Sequence, residues 1–221
     1  MGKIIAVIPA YNEEARVSQV INKAGRFVDE IIVVDDCSTD NTAAVSQDKG
    51  ATLISLNHNR GVGFATRTGC NCAVDKGAEI IVTLDADGQH NSADIPKLLR
   101  PLLAQEADIT FGIRSRDKRM PFDKRVGNVL FSWLAKVLFR SDLKDVLTGF
   151  HAFKSSCYHA LRWNSAGYGV VSEIAYRTIK NNLRYKQVGV ETIYNGKKRG
   201  MSKKDGIKSI LLMFKWKIKR S

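Results

Sequence analysis

The sequence has no hydrophobic run long enough to cross a membrane. The longest unbroken apolar run near its C-terminus is Ile210–Phe214, whereas a spanning helix needs roughly 20 apolar residues. The N-terminal stretch MGKIIAVIPAYNEE also lacks the cleavage site of a signal peptide, because charged residues follow its short apolar run. We therefore expect a protein that is made in the cytoplasm and stays on that side.

The sequence also lacks the cysteine patterns of metal sites and disulfide scaffolds. Its four cysteines, Cys37, Cys70, Cys72 and Cys157, form no C-x-x-C pair, and no histidine spacing completes a zinc site. In a reducing compartment such residues are free thiols. This argues against a zinc-binding module and against a disulfide-stapled fold.

Acidic residues are scarce in two segments of the chain. The formal net charge is +13. Residues 195–221 contain ten Lys or Arg and one acid, which gives +9, and residues 113–125 contain six basic residues and two acids, which gives +4. All other residues sum to zero. The localised charge predicts an anionic partner, and the alternative is a solubilising basic tail.

Short β-branched runs alternate with helical patterns over the first half of the chain. This alternation predicts an α/β fold with a mostly parallel central sheet flanked by helices. The predicted strands are 3–8, 30–34, 51–56, 79–84 and 108–113, and the predicted helices are 13–25, one ending at Gly50, one ending near Lys76, and 93–103.

The alternation weakens after Ile113. Helices are predicted at 126–139 and 172–182, and a strand at 185–193. We expect one domain over 1–204 with an elaborated C-terminal third, followed by a basic amphipathic helix over 205–221.

Polar side chains follow three of the predicted strands, where a parallel sheet binds its ligands. Asp85 and Asp87 are separated by one residue, and their carboxylates repel each other unless a cation or a proton lies between them. Oxygen ligands suit Mg²⁺ or Mn²⁺, and Mg²⁺ usually binds one or two carboxylates together with substrate phosphates. The pair therefore indicates a phosphorylated substrate, and the alternative is a pair of acids that only cap the next helix.

Four motifs occur in order: VIPAYNEE, VVDDCSTDNT, VTLDADGQH and DVLTGFHAF. Together they resemble the family 2 glycosyltransferases, which have the Rossmann-like GT-A fold, and among them the dolichyl-phosphate mannose synthases and other polyprenyl-phosphate glycosyltransferases. The resemblance runs from about Lys3 to Lys204. It implies inverting transfer of a hexose from GDP-mannose or UDP-glucose to a polyprenyl (dolichyl) phosphate, with Mg²⁺ or Mn²⁺ as cofactor.

The resemblance also implies roles for individual residues. Nucleotide-sugar contacts fall on Pro9, Ala10, Tyr11, Glu13, Asp35, Asp36, Asp85, Ala86, Arg114, Arg199 and Lys203. Metal ligands fall on Asp85, Asp87 and Gln89, and catalytic roles on Asp87, Asp145, Glu173 and Arg125. Arg60 is expected to contribute a weak phosphate contact, and the alternative is that residues 57–63 form a plain turn. His151 stands where the family often has an arginine, which leaves the contact made there open.

Several of these residues also have purely structural interpretations. Asp35 and Asp145 can cap a turn or a helix end. Glu173 can pair with Arg177, four residues on, at a helix surface. Arg114 can be an ordinary surface charge.

The C-terminal segment DGIKSILLMFKWKIKRS has apolar residues at helical spacing. Ile207, Ile210, Leu211, Phe214 and Ile218 share one side, and lysines lie on another. This predicts a helix that lies on an anionic membrane surface. The alternative is a helix packed on its own domain.

Two other functions compete with the lipid-phosphate interpretation. Transfer to a saccharide hydroxyl needs a carboxylate base, Glu173 or Asp145, whereas a lipid phosphate is already an anion and is better matched by the basic segment 113–125. Nucleic-acid binding would explain the charge, but the sequence shows no helix-turn-helix, zinc finger or aromatic RNA-binding platform. We therefore predict no nucleic-acid partner.

Overall fold

The computed structural model describes residues 2–114, 122–140, 142–193 and 202–218. The strands within these residues are β1 (Ile4–Ala10), β2 (Glu30–Asp35), β3 (Thr52–Ser55), β4 (Ile80–Thr83), β5 (Ile109–Arg114), β6 (His151–Lys154) and β7 (Tyr185–Val190). The helices are α1 (Glu14–Ala24), α2 (Thr42–Asp48), α3 (Val62–Asp75), α4 (Ile95–Leu103), α5 (Phe122–Phe139), α6 (Tyr158–Leu161), α7 (Gly169–Lys180) and α8 (Lys203–Ile218).

The strands form one sheet in the order β3-β2-β1-β4-β6-β5-β7. All neighbouring strands are parallel except β6, which is antiparallel to both β4 and β5. The predicted α/β fold with a mostly parallel sheet is therefore confirmed. Because β6 runs in the opposite direction, its first residue, His151, lies at the same edge of the sheet as the carboxyl ends of β4 and β5.

Helices cover both faces of the sheet, which explains why β1 is apolar throughout. Ile5 and Val7 pack on the side of α3, α5 and α7. Ala6 and Ile8 pack on the other side, against α1 and α4. Successive strand residues point to opposite faces, so a strand covered on both sides has no polar position. At Gly69 of α3 a Cβ would lie 2.4 Å from Val7 Cγ1, and glycine is therefore required for this close approach.

The elaborated C-terminal third lies on the α3 side of the sheet. There α5, α7 and α8 contact one another. On its inner side α8 buries Ser209 and Met213, and the Trp216 ring stacks on Tyr176 with centroids 5.5 Å apart. The predicted division between residues 204 and 205 stays a prediction, and α8 begins at Lys203.

Two further expectations concern thiols and membrane spans. All four cysteines are free. In the part of the chain that the structure describes, no helix has the length and apolarity to cross a membrane.

Candidate active site

A cavity of about 370 Å³ opens at the carboxyl edge of the central strands. Residues at or just beyond strand ends supply much of its polar lining, including Thr83, Asp85, Asp87, Gln89, His90, Arg114 and His151. Helices and loops on the α5 and α7 side supply most of its apolar lining, which includes Phe131, Leu147, Val170, Val171 and Ile174. The fold therefore joins charged groups and an apolar wall in one cavity.

The two aspartates of the motif VTLDADGQH are both half-buried and have different contacts. The Asp85 side chain is 42% exposed. The Asp87 carboxylate accepts hydrogen bonds from the Gln89 backbone N–H at 2.9 Å and from Gln89 Nε2 at 2.6 Å. Burial and the nearby charge of Asp85 raise the pKa of Asp87. A divalent cation would relieve this repulsion.

His90 orients the first of these aspartates, a role that the sequence interpretation missed. Its Nδ1 accepts the Asp85 backbone N–H at 3.2 Å. Because Nδ1 accepts this bond, the ring N–H is on Nε2, which lies 3.7 Å from Asp85 Oδ2. The ring also stacks on Phe150, with centroids 5.0 Å apart. The only sequence signal was the histidine that directly follows Gln89.

The motif around Thr148, Gly149 and Phe150 packs against the aspartates. Thr83 Oγ1 donates to the Gly149 carbonyl at 2.8 Å. A Cβ at Gly149 would lie 3.1 Å from Asp85 Oδ1. The absence of a side chain at this position therefore keeps a space open beside the Asp85 carboxylate.

Arg114, which lines the cavity, forms a bidentate ion pair with the buried Asp145. Arg114 Nε donates to Asp145 Oδ2 at 2.7 Å, and Nη2 donates to Oδ1 at 3.0 Å. Burial raises the pKa of the Asp145 carboxyl, but the Arg114 charge and hydrogen bonds outweigh it, so the net pKa is lowered. Asp145 therefore stays ionised and holds the guanidinium in place.

Glu173 is not among the residues that line the cavity, although its neighbour Ile174 is. Its buried carboxylate accepts hydrogen bonds from the backbone N–H groups of Asn164 at 3.0 Å and Ser165 at 2.9 Å, and from the Ser165 hydroxyl at 2.6 Å. Arg177 Nε donates to it at 2.8 Å, which is the structural alternative considered above. These contacts tie α7 to the preceding loop, and a catalytic role for Glu173 stays a prediction.

The residues predicted to contact the nucleotide lie around the ends of β1 and β2. Pro9 lines the cavity, Ala10 and Ala86 are buried, and Tyr11 is 46% exposed. Glu13 is buried and pairs with Arg16. The exposed ring of Tyr11 is therefore available to a planar base.

Asp35 and Asp36 hold the two loops beside this ring. Asp35 accepts the Ser38 hydroxyl, and Asp36 accepts the backbone N–H groups of Arg60 at 2.7 Å and Gly61 at 2.8 Å. The Arg60 guanidinium lies 3.9 Å from the centroid of the Phe64 ring. Both acids thus shape the loops, and their predicted contact with base or ribose stays a prediction.

Three predicted residues lie wholly or partly outside the described residues. Arg199 lies outside the described residues. The side chains of Arg125 on α5 and Lys203 on α8 also lie outside them, although Gly127 and Ser202, close to them in sequence, line the cavity.

His151 differs from the other polar groups named above because it is buried without a hydrogen-bond partner in the described part of the chain. It is 1% exposed, and neither ring nitrogen has a hydrogen-bond partner within the described residues. Burial and the neighbouring His90 lower its pKa to about 3, so the ring is neutral at physiological pH. A neutral imidazole offers one donor and one acceptor to a ligand.

The described residues contain no group of three His, Cys, Asp or Glu side chains suited to hold a metal. Asp85, Asp87 and the Gln89 amide do meet at the cavity. This donor set fits Mg²⁺ or Mn²⁺, which bind proteins through one or two carboxylates and complete their shell with water and substrate phosphates. The open space beside Asp85 at Gly149 is consistent with such a shell.

Sequence comparison matches the chain to one protein family and to named relatives. The sequence model of glycosyl transferase family 2 matches residues 5–166. A UDP-N-acetylglucosamine–dolichyl-phosphate N-acetylglucosaminyltransferase of Methanococcus voltae is 34% identical, over 86% of each chain. An undecaprenyl-phosphate mannosyltransferase of Micrococcus luteus is 25% identical, over 85% of this chain and 82% of its own.

Solved structures match the fold as well. Glucosyl-3-phosphoglycerate synthase from Mycobacterium tuberculosis, crystallised with Mn²⁺, UDP and glucosyl-3-phosphoglycerate, has a TM-score of 0.77 and 22% identity. The match covers 99% of this chain and 80% of that one. At 22% identity, this match shows a similarity of fold only.

Proposed function

The chain belongs to glycosyl transferase family 2, and on this premise we propose that it transfers a hexose from a nucleotide-sugar to a polyprenyl (dolichyl) phosphate at a membrane surface. GDP-mannose and UDP-glucose are the proposed donors, and the proposed reaction inverts the anomeric centre. The names of the relatives from Methanococcus voltae and Micrococcus luteus support a polyprenyl-phosphate acceptor.

The observation that carries the proposal is the mixed lining of the cavity. Asp85, Asp87 and Arg114 supply charged groups, and helices α5 and α7 supply an apolar wall. A polyprenyl phosphate has the matching chemistry, with a charged head on an apolar chain. A free saccharide acceptor would leave the apolar wall without a partner.

The aspartates act on the leaving group in this proposal. A Mg²⁺ or Mn²⁺ ion at Asp85, Asp87 and Gln89 would stabilise the negative charge that develops on the departing nucleoside diphosphate. Gln89 fixes the Asp87 carboxylate by two hydrogen bonds, and His90 holds the backbone of Asp85. The Asp87 carboxylate is therefore oriented before any substrate binds.

The ion pairs made by the two predicted catalytic bases favour a phosphate acceptor over a sugar hydroxyl. A hydroxyl acceptor needs a base, and the two predicted bases are Asp145 and Glu173. Asp145 pairs with Arg114 and Glu173 with Arg177, and both are buried. A phosphate acceptor needs no base, and the Arg114 guanidinium at the cavity wall can bind its oxygens.

The experiment that tests the function measures transfer of labelled sugar into lipid. The protein is incubated with Mn²⁺ and anionic vesicles that contain a polyprenyl phosphate, first with GDP-mannose and then with UDP-glucose. Asp87→Asn removes one proposed metal ligand, and Asp48→Asn, which changes an exposed carboxylate on α2, is the matched control. We expect labelled lipid from the parent protein and from Asp48→Asn, and a loss of at least about 100-fold in Asp87→Asn.

The other outcomes are equally informative. Release of nucleoside diphosphate without labelled lipid would retain the glycosyltransferase and exclude the lipid acceptor, which favours the saccharide alternative. No turnover of either nucleotide-sugar would contradict the proposed donors.

A further inference from the structure

Helix α8 has an outward face that its own domain does not cover. Ile207, Leu211, Phe214 and Ile218 are 61%, 63%, 46% and 75% exposed. Their spacing of four, three and four residues places them along one side of the helix. Ile210, which the sequence pattern grouped with them, packs partly buried against the core instead. Helix α8 therefore packs on the domain with one side and presents an apolar stripe to solvent with the other.

Helix α5 has the same organisation. Val129, Leu130, Trp133 and Val137 are 47%, 44%, 57% and 55% exposed. The inner side of α5 is buried in the core and consists of Phe131, Leu134, Ala135, Leu138 and Phe139. An exposed tryptophan among exposed aliphatic residues is unusual for a surface that only faces water.

The two faces are neighbours and lie on helices that also line the cavity. Helices α5 and α8 contact each other, and each buries the side opposite to its apolar face. Gly127 of α5 and Gly206 of α8 line the cavity from the inner sides of these helices. The combined apolar surface, which we call the α5–α8 face, therefore lies about one helix diameter, roughly 10 Å, from the cavity.

The charge around the α5–α8 face is mainly basic. Residues 127–140 and 206–221 contain seven Lys or Arg and no Asp or Glu, and the acids of the two helices, Asp123 and Asp205, lie in their first turns. The exposed basic residues within the described residues are Lys136, Arg140, Lys208, Lys215 and Lys217. A surface with apolar residues at its centre and basic residues among them matches an anionic bilayer, whose interior takes the apolar side chains and whose headgroups take the charges.

We propose that α5 and α8 together dock the protein on an anionic lipid bilayer and place the cavity at the headgroup level. The proposal rests on the proposed function, because it supplies the route by which a membrane-held acceptor reaches the cavity. It extends the surface predicted from the C-terminal segment alone, because half of the apolar contact comes from α5, with Trp133 at its centre. Trp and Tyr are favoured at the membrane interface.

The test measures vesicle binding of single-residue variants. The full chain is sedimented with vesicles of phosphatidylcholine containing phosphatidylserine, without any nucleotide-sugar or acceptor. Trp133→Gln changes the α5 part of the face and Leu211→Gln the α8 part. Leu103→Gln is the matched control, because Leu103 is an exposed leucine of α4 on the opposite side of the sheet.

We expect Trp133→Gln and Leu211→Gln each to weaken binding by about tenfold or more, and Leu103→Gln to bind like the parent. Binding should also fall with added salt and on pure phosphatidylcholine. Normal binding by Trp133→Gln would overturn the proposal, because α8 alone would then hold the membrane. Sedimentation equilibrium that shows a dimer dissociated by Trp133→Gln would also overturn it, since a second copy would then cover the face.

A second assay separates this inference from the proposed function. Turnover is measured in the absence of vesicles with a short-chain, water-soluble prenyl phosphate. Trp133→Gln should retain parental turnover there and lose it on vesicles. If the parent binds vesicles but does not use either acceptor, the proposed function fails and docking stands. If Trp133→Gln and the parent behave alike on vesicles, docking fails and the function stands.

Discussion

His151 is a buried imidazole whose two ring nitrogens have no partner within the described residues. A buried polar group without a hydrogen bond costs about 1–3 kcal/mol of stability. Such a cost is expected where a ligand supplies the missing bond, and His151 lines the cavity. The sequence marked the position only as a departure from the family motif, because burial and the lack of a partner depend on β6 lying between β4 and β5.

Replacement of His151 by leucine is predicted to separate stability from function. His151→Leu should raise the free energy of unfolding at pH 7 by about 1–2 kcal/mol, because an apolar side chain of similar size needs no partner. Sugar transfer should fall at least about tenfold, because the donor and acceptor of the ring are lost. Urea denaturation and the lipid-labelling assay check the two effects. A less stable variant with normal turnover would contradict the assigned role.

The same residue predicts how stability depends on pH. The pKa of His151 is lowered to about 3 in the folded protein, whereas an unfolded histidine has a pKa of about 6.5. Between these values the unfolded chain binds more protons, so the free energy of unfolding decreases as the pH falls below about 6.5. The slope should reach up to about 1.4 kcal/mol per pH unit. Urea titrations at pH 7, 6 and 5 should show a steeper decline in the parent than in His151→Leu.

Glu173 allows a test between a catalytic and a structural role. Its carboxylate accepts bonds from Asn164, Ser165 and Arg177, and a carboxamide cannot replace all of them. Glu173→Gln should therefore lower the free energy of unfolding by about 2–3 kcal/mol. Denaturant melts and kcat measured below the new transition check this. Unchanged stability with a loss of kcat of about 1000-fold would instead identify Glu173 as a base.

At the scale of elements, the strands that alternate with helices were predicted correctly and β6 was missed. The predicted strands at 3–8, 30–34, 79–84 and 108–113 coincide with β1, β2, β4 and β5 to within a few residues. Strand β6 has the sequence HAFK, which contains no β-branched residue, unlike the equally short β3 and β4, and it follows a long irregular connection. Its antiparallel insertion depends on contacts between distant residues, which local pattern does not encode.

The end of β7 shows a similar effect of tertiary contacts. The alternating pattern predicted a strand to Ile193, but β7 ends at Val190. After that point the Glu191 N–H donates to Asp94 and the Ile193 N–H donates to the Gln89 carbonyl at 2.9 Å. The chain thus leaves the sheet to pack against the segment that carries Gln89 and Asp94. These two tertiary hydrogen bonds replace the strand pairing after Val190.

The first turn of α3 is predicted to depend on glycine. A Cβ at Gly63 would lie 2.3 Å from the Ser165 carbonyl oxygen and 2.9 Å from that of Ala166. Gly63→Ala should therefore lower the free energy of unfolding by about 1–3 kcal/mol, because backbone atoms on both sides must move. Gly189→Ala is the control, since nothing lies within 4 Å of its Cβ position. Thermal melts should show a lower Tm for Gly63→Ala only.

At the scale of the whole molecule, the sequence predicted the fold class and the edge of the sheet where the site lies. Both follow from local rules, because alternating strands and helices give a parallel sheet and ligands bind at its carboxyl edge. The strand order and the apolar wall of the cavity did not follow. They require α5, α7 and α8 to pack on the same side of the sheet, and only the assembled chain shows that arrangement.

The proposed metal site makes a prediction about the stability of the whole molecule. Burial and the charge of Asp85 disfavour ionised Asp87, whose pKa is raised. Asp87→Asn should therefore leave the metal-free protein as stable as the parent or more stable, because the repulsion between Asp85 and the partly buried Asp87 is removed. The parent should gain Tm when Mn²⁺ and a nucleoside diphosphate are added together, since both bind only the folded state. Asp87→Asn should show little or no gain. Equal gains in both proteins, measured by differential scanning fluorimetry with Asp48→Asn as control, would place the cation elsewhere.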